Sequence, residues 1–153
     1  MPESEPTRLI VEKAGVDTPL IRLGVQEDGT VGVPKGDPGA PAGWYEYSPT
    51  PGEVGPSVYL GHVYDTGGEG VFIDLNVLVP GDRVRVPRKD GTEAVFEVYK
   101  AEYYGKGREE FPTEQVYGNT AGPEIRLITC DGYDPATGHW NDNLVVYGRL
   151  VAG

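Results

Sequence analysis

The sequence predicts an all-β fold, and three observations carry that expectation. Short runs of β-branched and aromatic residues recur about every ten residues with Gly, Pro, Asn and Asp between them, the rhythm of a sandwich or barrel. No segment longer than about ten residues keeps an apolar period of 3.6. Ten Tyr, two Trp and many Val supply strand-forming material, while 23 Gly and 14 Pro among 153 residues supply turns.

Taken in order, the strand candidates are 8–13, 19–23, 57–62, 83–87, 94–102, 124–129 and 144–151. Short helical turns are expected at 73–78, closed by Pro80-Gly81-Asp82, and at 112–117, where Pro112 and Thr113 suit a first turn. Asp28-Gly29 and Asp90-Gly91 lie between strand-like segments and read as tight hairpin turns, because Gly adopts positive φ without steric cost. The stretch 33–56 holds six Pro and five Gly together with Trp44, Tyr45 and Tyr47, and reads as an ordered loop pinned by aromatics. Residues 1–7 are expected to be a flexible N-terminal stub, acidic and Pro-containing, compatible with a juxtamembrane segment.

The length suits one domain, 1–153, able to bury roughly two-thirds of its unfolded surface. Thirteen basic against 24 acidic residues leave a net charge of −11, which repels phosphate backbones and anionic headgroups and argues against nucleic acid as a partner. One Cys forbids an internal disulfide. No run approaches the roughly 18 apolar residues of a membrane-spanning helix.

Two strand ends carry the candidate chemistry. Residues 124–129 form an apolar run that ends in Cys130 and then Asp131-Gly132, which sets a thiol at the rim of a sheet. Residues 57–62 end likewise in His62, with Asp65 three residues on. A lone Cys is more often an inert small hydrophobe, and a strand-end His more often a solvated side chain. A Cys and a His distant in sequence but adjacent in a fold make a nucleophile and acid/base pair, and pairing the sole Cys with one of only two His is economical. The other, His139, lies in Gly138-His139-Trp140 and reads as a surface residue that could flank the same site. A zinc site is poorly supported, because one Cys and two His lack close ligand spacing, and neither a calcium loop nor a phosphate or dinucleotide fingerprint is present.

Leu127-Ile128-Thr129-Cys130 resembles the Thr-Leu-x-Thr-Cys signature of sortases, and Leu60-Gly61-His62 resembles the strand end that carries their histidine. Ala42-Gly43-Trp44-Tyr45, Gly55-Pro56-Ser57-Val58, Leu78-Val79-Pro80-Gly81-Asp82-Arg83-Val84, Phe111-Pro112-Thr113, Val116-Tyr117-Gly118 and the 138–143 block are similar to blocks of actinobacterial class F sortases. The resemblance implies a closed eight-stranded β-barrel with one or two short helices, and an extracytoplasmic enzyme anchored by a segment outside this sequence. It further implies a cysteine transpeptidase that cleaves a Leu-Pro-x-Thr-Gly-like sorting signal of secreted proteins between Thr and Gly. The acyl group would pass through Cys130 to an amine of peptidoglycan or its lipid precursor, with His62 as acid/base and without a cofactor or metal.

One departure bears on the mechanism. Sortases place an arginine on the strand after the Cys loop to hold the substrate and its developing oxyanion, and the aligned positions here are Asn143 or Asn141. Arg126 is a candidate substitute, since alternation sets it on the face of Ile128 and Cys130, and Arg149 ranks below it. Ile128, Thr129 and Asp65 are expected along the substrate groove. Two rival readings remain open: a sortase-fold module that binds sorting signals with little turnover, and a papain-like hydrolase, which would place its Cys at a helix start rather than after a strand.

Overall fold

The computed structural model describes residues 1–27, 31–34, 37–104, 112–130, 133–134, 139–140 and 143–153, and at 65, 130, 133–134 and 139–140 the backbone alone. In chain order the elements are β1 (Arg8–Val11), a 3-10 turn (Glu12–Ala14), β2 (Val16–Leu23), β3 (Ala42–Tyr45), β4 (Gly55–His62), β5 (Tyr64–Asp65) and β6 (Gly68–Glu69). A second 3-10 turn (Leu75–Val77) follows, then β7 (Arg83–Pro87), β8 (Glu93–Tyr104), α1 (Thr113–Tyr117), β9 (Pro123–Cys130), β10 (Tyr133–Asp134), β11 (His139–Trp140) and β12 (Asn143–Ala152).

Eight strands close into a barrel in the order β1-β2-β3-β4-β9-β12-β8-β7, with Ile10 opposite Arg85 joining the two ends. The expected all-β barrel is what forms. Neighbours pair antiparallel except β2 with β3 and β4 with β9, which run parallel. The parallel β4–β9 pair matters most here, because it brings two strand C-termini to one rim.

Several elements differ from their expected bounds for local reasons. The 8–13 run breaks at Val11, where Gly15 at φ 67° turns the chain and β2 starts at Val16. Strand β3 was concealed inside the Pro- and Gly-rich 33–56 stretch, since Ala42-Gly43-Trp44-Tyr45 carries no alternation. It bridges β2 and β4 and is needed for closure. The 73–78 helix shrinks to the Leu75–Val77 turn, and α1 spans five residues.

Asp90-Gly91 is the expected turn: Gly91 sits at φ 88° and an Asp90 carboxylate oxygen accepts the Thr92 N–H at 2.9 Å. Asp28-Gly29 lies outside the described residues, although the Val25–Val31 bridge brings its flanks together. Residues 1–7, expected to be flexible, are strapped to the barrel. Pro6 bridges Arg88, the Thr7 N–H reaches the Pro87 carbonyl, and the buried Arg88 guanidinium donates to the Pro2 and Pro51 carbonyls.

Two apolar layers explain why β4 is buried at all eight positions. Inside the barrel, Tyr59, Leu127, Val146 and Ala101 are successive register partners on β4, β9, β12 and β8 and lie in the main core with Trp44, Phe72, Phe96 and Ile125. One residue on, alternation turns Leu60, Ile128 and Val145 to the outer surface, where they join Val58, Tyr147, Leu23 and Val116 in a second cluster. Val31, Tyr45 and Tyr117 pack against that outer cluster. A strand apolar on both faces therefore means that something covers each face, and here α1 and the segment after β2 do so. Each fully buried aliphatic side chain contributes about 1.5–3 kcal/mol, so the outer layer is a substantial part of the structure rather than a decoration of the barrel.

Candidate active site

The outer face of β8, β12, β9 and β4 is organised in rows that cross the four strands. One row is Val145, Ile128 and Leu60; the row beneath it is Lys100, Tyr147, Arg126 and Val58. Above both, at the rim, His62 is the direct register partner of Cys130. Asn143 is the partner of Tyr104, and counting on from the Val145–Ile128 pair brings Asn143 level with Cys130. The two sequence-nominated strand ends thus meet, with Asn143 on the next strand over.

His62 is held tightly at this rim. Its ring is 4% exposed and its Nε2–H donates to the Pro34 carbonyl at 2.5 Å. Its own carbonyl accepts the Phe72 N–H at 2.9 Å, and the Gly70 N–H bonds the Val63 carbonyl at 2.7 Å, so the chain beyond β4 doubles back onto its end. Gly61 makes this fold-back possible: a Cβ there would lie 2.7 Å from the buried Phe72 ring.

Thr129 belongs to the framework. Its hydroxyl accepts the Leu144 N–H at 2.8 Å, one residue beyond the last β9–β12 backbone pair, and its neighbours across the sheet face the barrel interior. Its expected place along the groove is therefore taken by the ladder, whereas Ile128 does face outward into the second cluster. Asp65 lies on β5, opposite Gly68.

Arg126 sits two rows below Cys130, roughly 13 Å back at the rise of a strand. It is 2% exposed; Nη1 donates to Glu124 at 2.8 Å and to the Ile125 carbonyl at 3.1 Å, and the guanidinium carbon lies 4.5 Å from the centre of the Tyr147 ring. Arg149 lies farther down, stacked 4.3 Å over Tyr99. Both arginines are thus engaged in an aromatic and carboxylate network along the lower rows. At the rim the amide of Asn143 is what the described residues offer: its Oδ1 is buried and accepts no hydrogen bond among them. Asn141 lies outside the described residues, and His139 on β11 is opposite Asp134 on β10.

Three contributors escaped the sequence. The Pro34 carbonyl is backbone and leaves no side-chain signal, and the rim position of Tyr104 follows only from the register of β8. The outer cluster did leave one: Val58, Leu60 and His62 alternate with Ser57, Tyr59 and Gly61, and nothing charged appears on either face of that strand.

Comparison with known proteins adds the following. The family model described as Sortase domain matches residues 9–151. Sortase C1 of Pilus Island 1 from group B Streptococcus superposes with a TM-score of 0.70 at 19% identity, over 95% of this chain and 64% of that one. Sortase C-1 from Actinomyces oris gives 0.70 at 21% identity, over 95% and 73%. The Sortase D5 transpeptidase of Clostridium perfringens gives 0.66 at 19%, over 97% and 79%. The chain thus spans just under two-thirds of the streptococcal protein, and at these identities the likeness speaks for the fold. No curated protein sequence matches the chain significantly.

Proposed function

Because the chain belongs to the sortase family, we propose that it is a cysteine transpeptidase in which Cys130 is the nucleophile and His62 the acid/base. The observation that supports this reading above all others is the register pairing of His62 with Cys130 at one barrel rim. The thiolate of Cys130 attacks the Thr–Gly carbonyl of a Leu-Pro-x-Thr-Gly-like sorting signal, forming a C–S bond and a tetrahedral oxyanion. As the C–N bond breaks, its electron pair stays on the glycine nitrogen, which takes a proton from His62, because an unprotonated amine is a very poor leaving group. An incoming amine of the cell envelope then attacks the thioester and gives a proton to His62, and the C–S bond breaks with its electron pair on sulfur, restoring the Cys130 thiolate and the His62 imidazolium.

The signal peptide lies along the rim above the outer apolar rows, where Leu60, Ile128 and Val145, covered by Val116 and Tyr117 of α1, hold the two strand ends in place. Asn143 takes the place of the family's arginine: half-buried and level with Cys130, its amide turns to donate Nδ2–H to the oxyanion. The sequence blocks point to the class F branch, whose substrates are secreted proteins with a C-terminal sorting signal, handled at the extracytoplasmic face of the membrane. Among the described residues no helix is long and apolar enough to cross a membrane.

A second reading has one specific observation in its favour. Arg126 and Arg149 both sit rows below the rim in other company, which leaves a neutral amide where charge would help. On that reading the barrel binds sorting signals and turns them over little. Incubation with a Leu-Pro-x-Thr-Gly peptide and an amine acceptor decides between them: the transpeptidase gives a ligated product that Cys130→Ala abolishes, whereas a binding module retains peptide affinity and yields no product.

A further inference from the structure

We infer that the backbone carbonyl of Pro34 is a positioning group that fixes the tautomer of His62, so that Nδ1 is the nitrogen that exchanges protons during the reaction. This deepens the proposed function and rests on His62 being its acid/base.

The argument starts from hydrogen-bond chemistry. A carbonyl oxygen has lone pairs and no proton to give, so the 2.5 Å contact between it and Nε2 requires that Nε2 carry the hydrogen. A neutral imidazole has one N–H, and with that proton on Nε2 the lone pair resides on Nδ1. The ring is 4% exposed, so water cannot replace the partner that Nε2 would lose by switching tautomer. A buried hydrogen bond of this kind biases the two forms on the order of tenfold.

The carbonyl is itself held in place. Proline has a fixed φ, and Pro34 is buried. The segment before it is tied by the Val25–Val31 bridge and by the Gly32 N–H bond to the Gly24 carbonyl at 2.7 Å. Val31 packs against the outer apolar cluster beside Leu23. On the other side, the His62 backbone is locked by Phe72. Both partners of the 2.5 Å contact are therefore anchored on the barrel.

The consequence for the reaction is specific. In the imidazolium both nitrogens carry hydrogen, and the one at Nδ1 moves to the leaving glycine nitrogen as that atom receives the C–N electron pair. The ring returns to neutrality without losing its bond to Pro34. The incoming amine gives its proton back to Nδ1, and the cycle closes with Nε2–H never transferred.

Nitrogen-15 NMR of the histidine rings tests this without any need for turnover. With His139→Gln used to assign the two residues, His62 in its neutral form is expected to show a protonated Nε2 and a bare Nδ1. A dominant Nδ1–H tautomer, or an even mixture, overturns the inference. Placing 3-(pyrrol-3-yl)alanine at position 62, which keeps an N–H at the Nε2 position and has C–H in place of Nδ1, adds the functional arm: the Pro34 bond survives, and transpeptidation is expected to fall by about 10²–10⁴-fold. Turnover within a factor of about three of wild type contradicts the role given to Nδ1. Absence of turnover in the wild-type protein would count against the proposed function and leave the tautomer result standing on its own.

Discussion

His62 and Cys130 stand side by side as register partners at the ends of two parallel strands, 68 positions apart in the chain. Parallel pairing is what makes this possible, since it brings two C-terminal strand ends to the same rim, whereas an antiparallel pair would set one end against the other's beginning. The arrangement has consequences for the residues around it, which can be tested one at a time.

Arg126 is expected to matter for stability rather than for chemistry. Its guanidinium is buried between Glu124 and the Tyr147 ring, so truncation to Ala leaves Glu124 without its partner and a gap beside Tyr147. Arg126→Ala should lower the unfolding free energy by about 2–4 kcal/mol in urea titrations. Cleavage per folded molecule should stay within about threefold of wild type. A loss of turnover on the scale of a missing oxyanion donor, with stability intact, would restore Arg126 to the site.

Asn143 carries the opposite expectation. Asn143→Ala removes one neutral donor at the rim, and kcat should drop about 10–100-fold while the melting temperature changes little. Asn143→Asp, which keeps the shape and places a negative charge beside the oxyanion, should be worse than Ala. Equal activities for all three proteins would take the amide out of the mechanism.

Gly61→Ala tests how His62 is seated. The added methyl meets the Phe72 ring at 2.7 Å, and Phe72 also holds the His62 carbonyl. Repacking should cost about 1–3 kcal/mol, with a further loss of turnover because the ring moves with its strand end. Thermal unfolding and peptide cleavage on the same preparation check both parts.

Tyr59 makes a pH dependence visible. It lies fully buried in the barrel with Ser57 donating to its hydroxyl at 3.0 Å, and burial pushes its phenol well above the usual value against the smaller opposing effects of Ser57 and Arg88. A group raised on folding contributes stability below its unfolded pKa of about 10 and loses it as pH climbs beyond that. From pH ~10 upward, Tyr59 should therefore add a slope of about 1.4 kcal/mol per pH unit to the alkaline loss of stability. Tyr59→Phe should flatten the curve by that amount. An unchanged slope would mean that the phenol ionises without unfolding.

The strands with clean alternation were legible in the sequence. Residues 83–87 read as a strand because Val84 and Val86 point inward between Arg83 and Arg85, and β7 has those bounds. Strand β3 was not legible, since four residues without a period are recruited by β2 and β4 on either side. The ends of β4 and β9 were visible as apolar runs closed by His62 and Cys130, yet nothing in a linear pattern gives the parallel register that joins them. Arg126 shows the limit of alternation arguments: it lies on the face that Cys130's strand position implies, but two rows and roughly 13 Å away. Thr129 was nominated for the groove by its neighbourhood to Cys130, and its hydroxyl instead extends the ladder to Leu144.

The most direct test of the central claim is the intact mass of the protein quenched in acid during reaction with a Leu-Pro-x-Thr-Gly peptide. A transpeptidase that works through Cys130 gains the mass of the peptide's acyl portion up to Thr, localised to Cys130 by digestion, sensitive to hydroxylamine and missing in Cys130→Ala. Product formation that persists in Cys130→Ala, or an acyl group found on any other residue, would contradict the account.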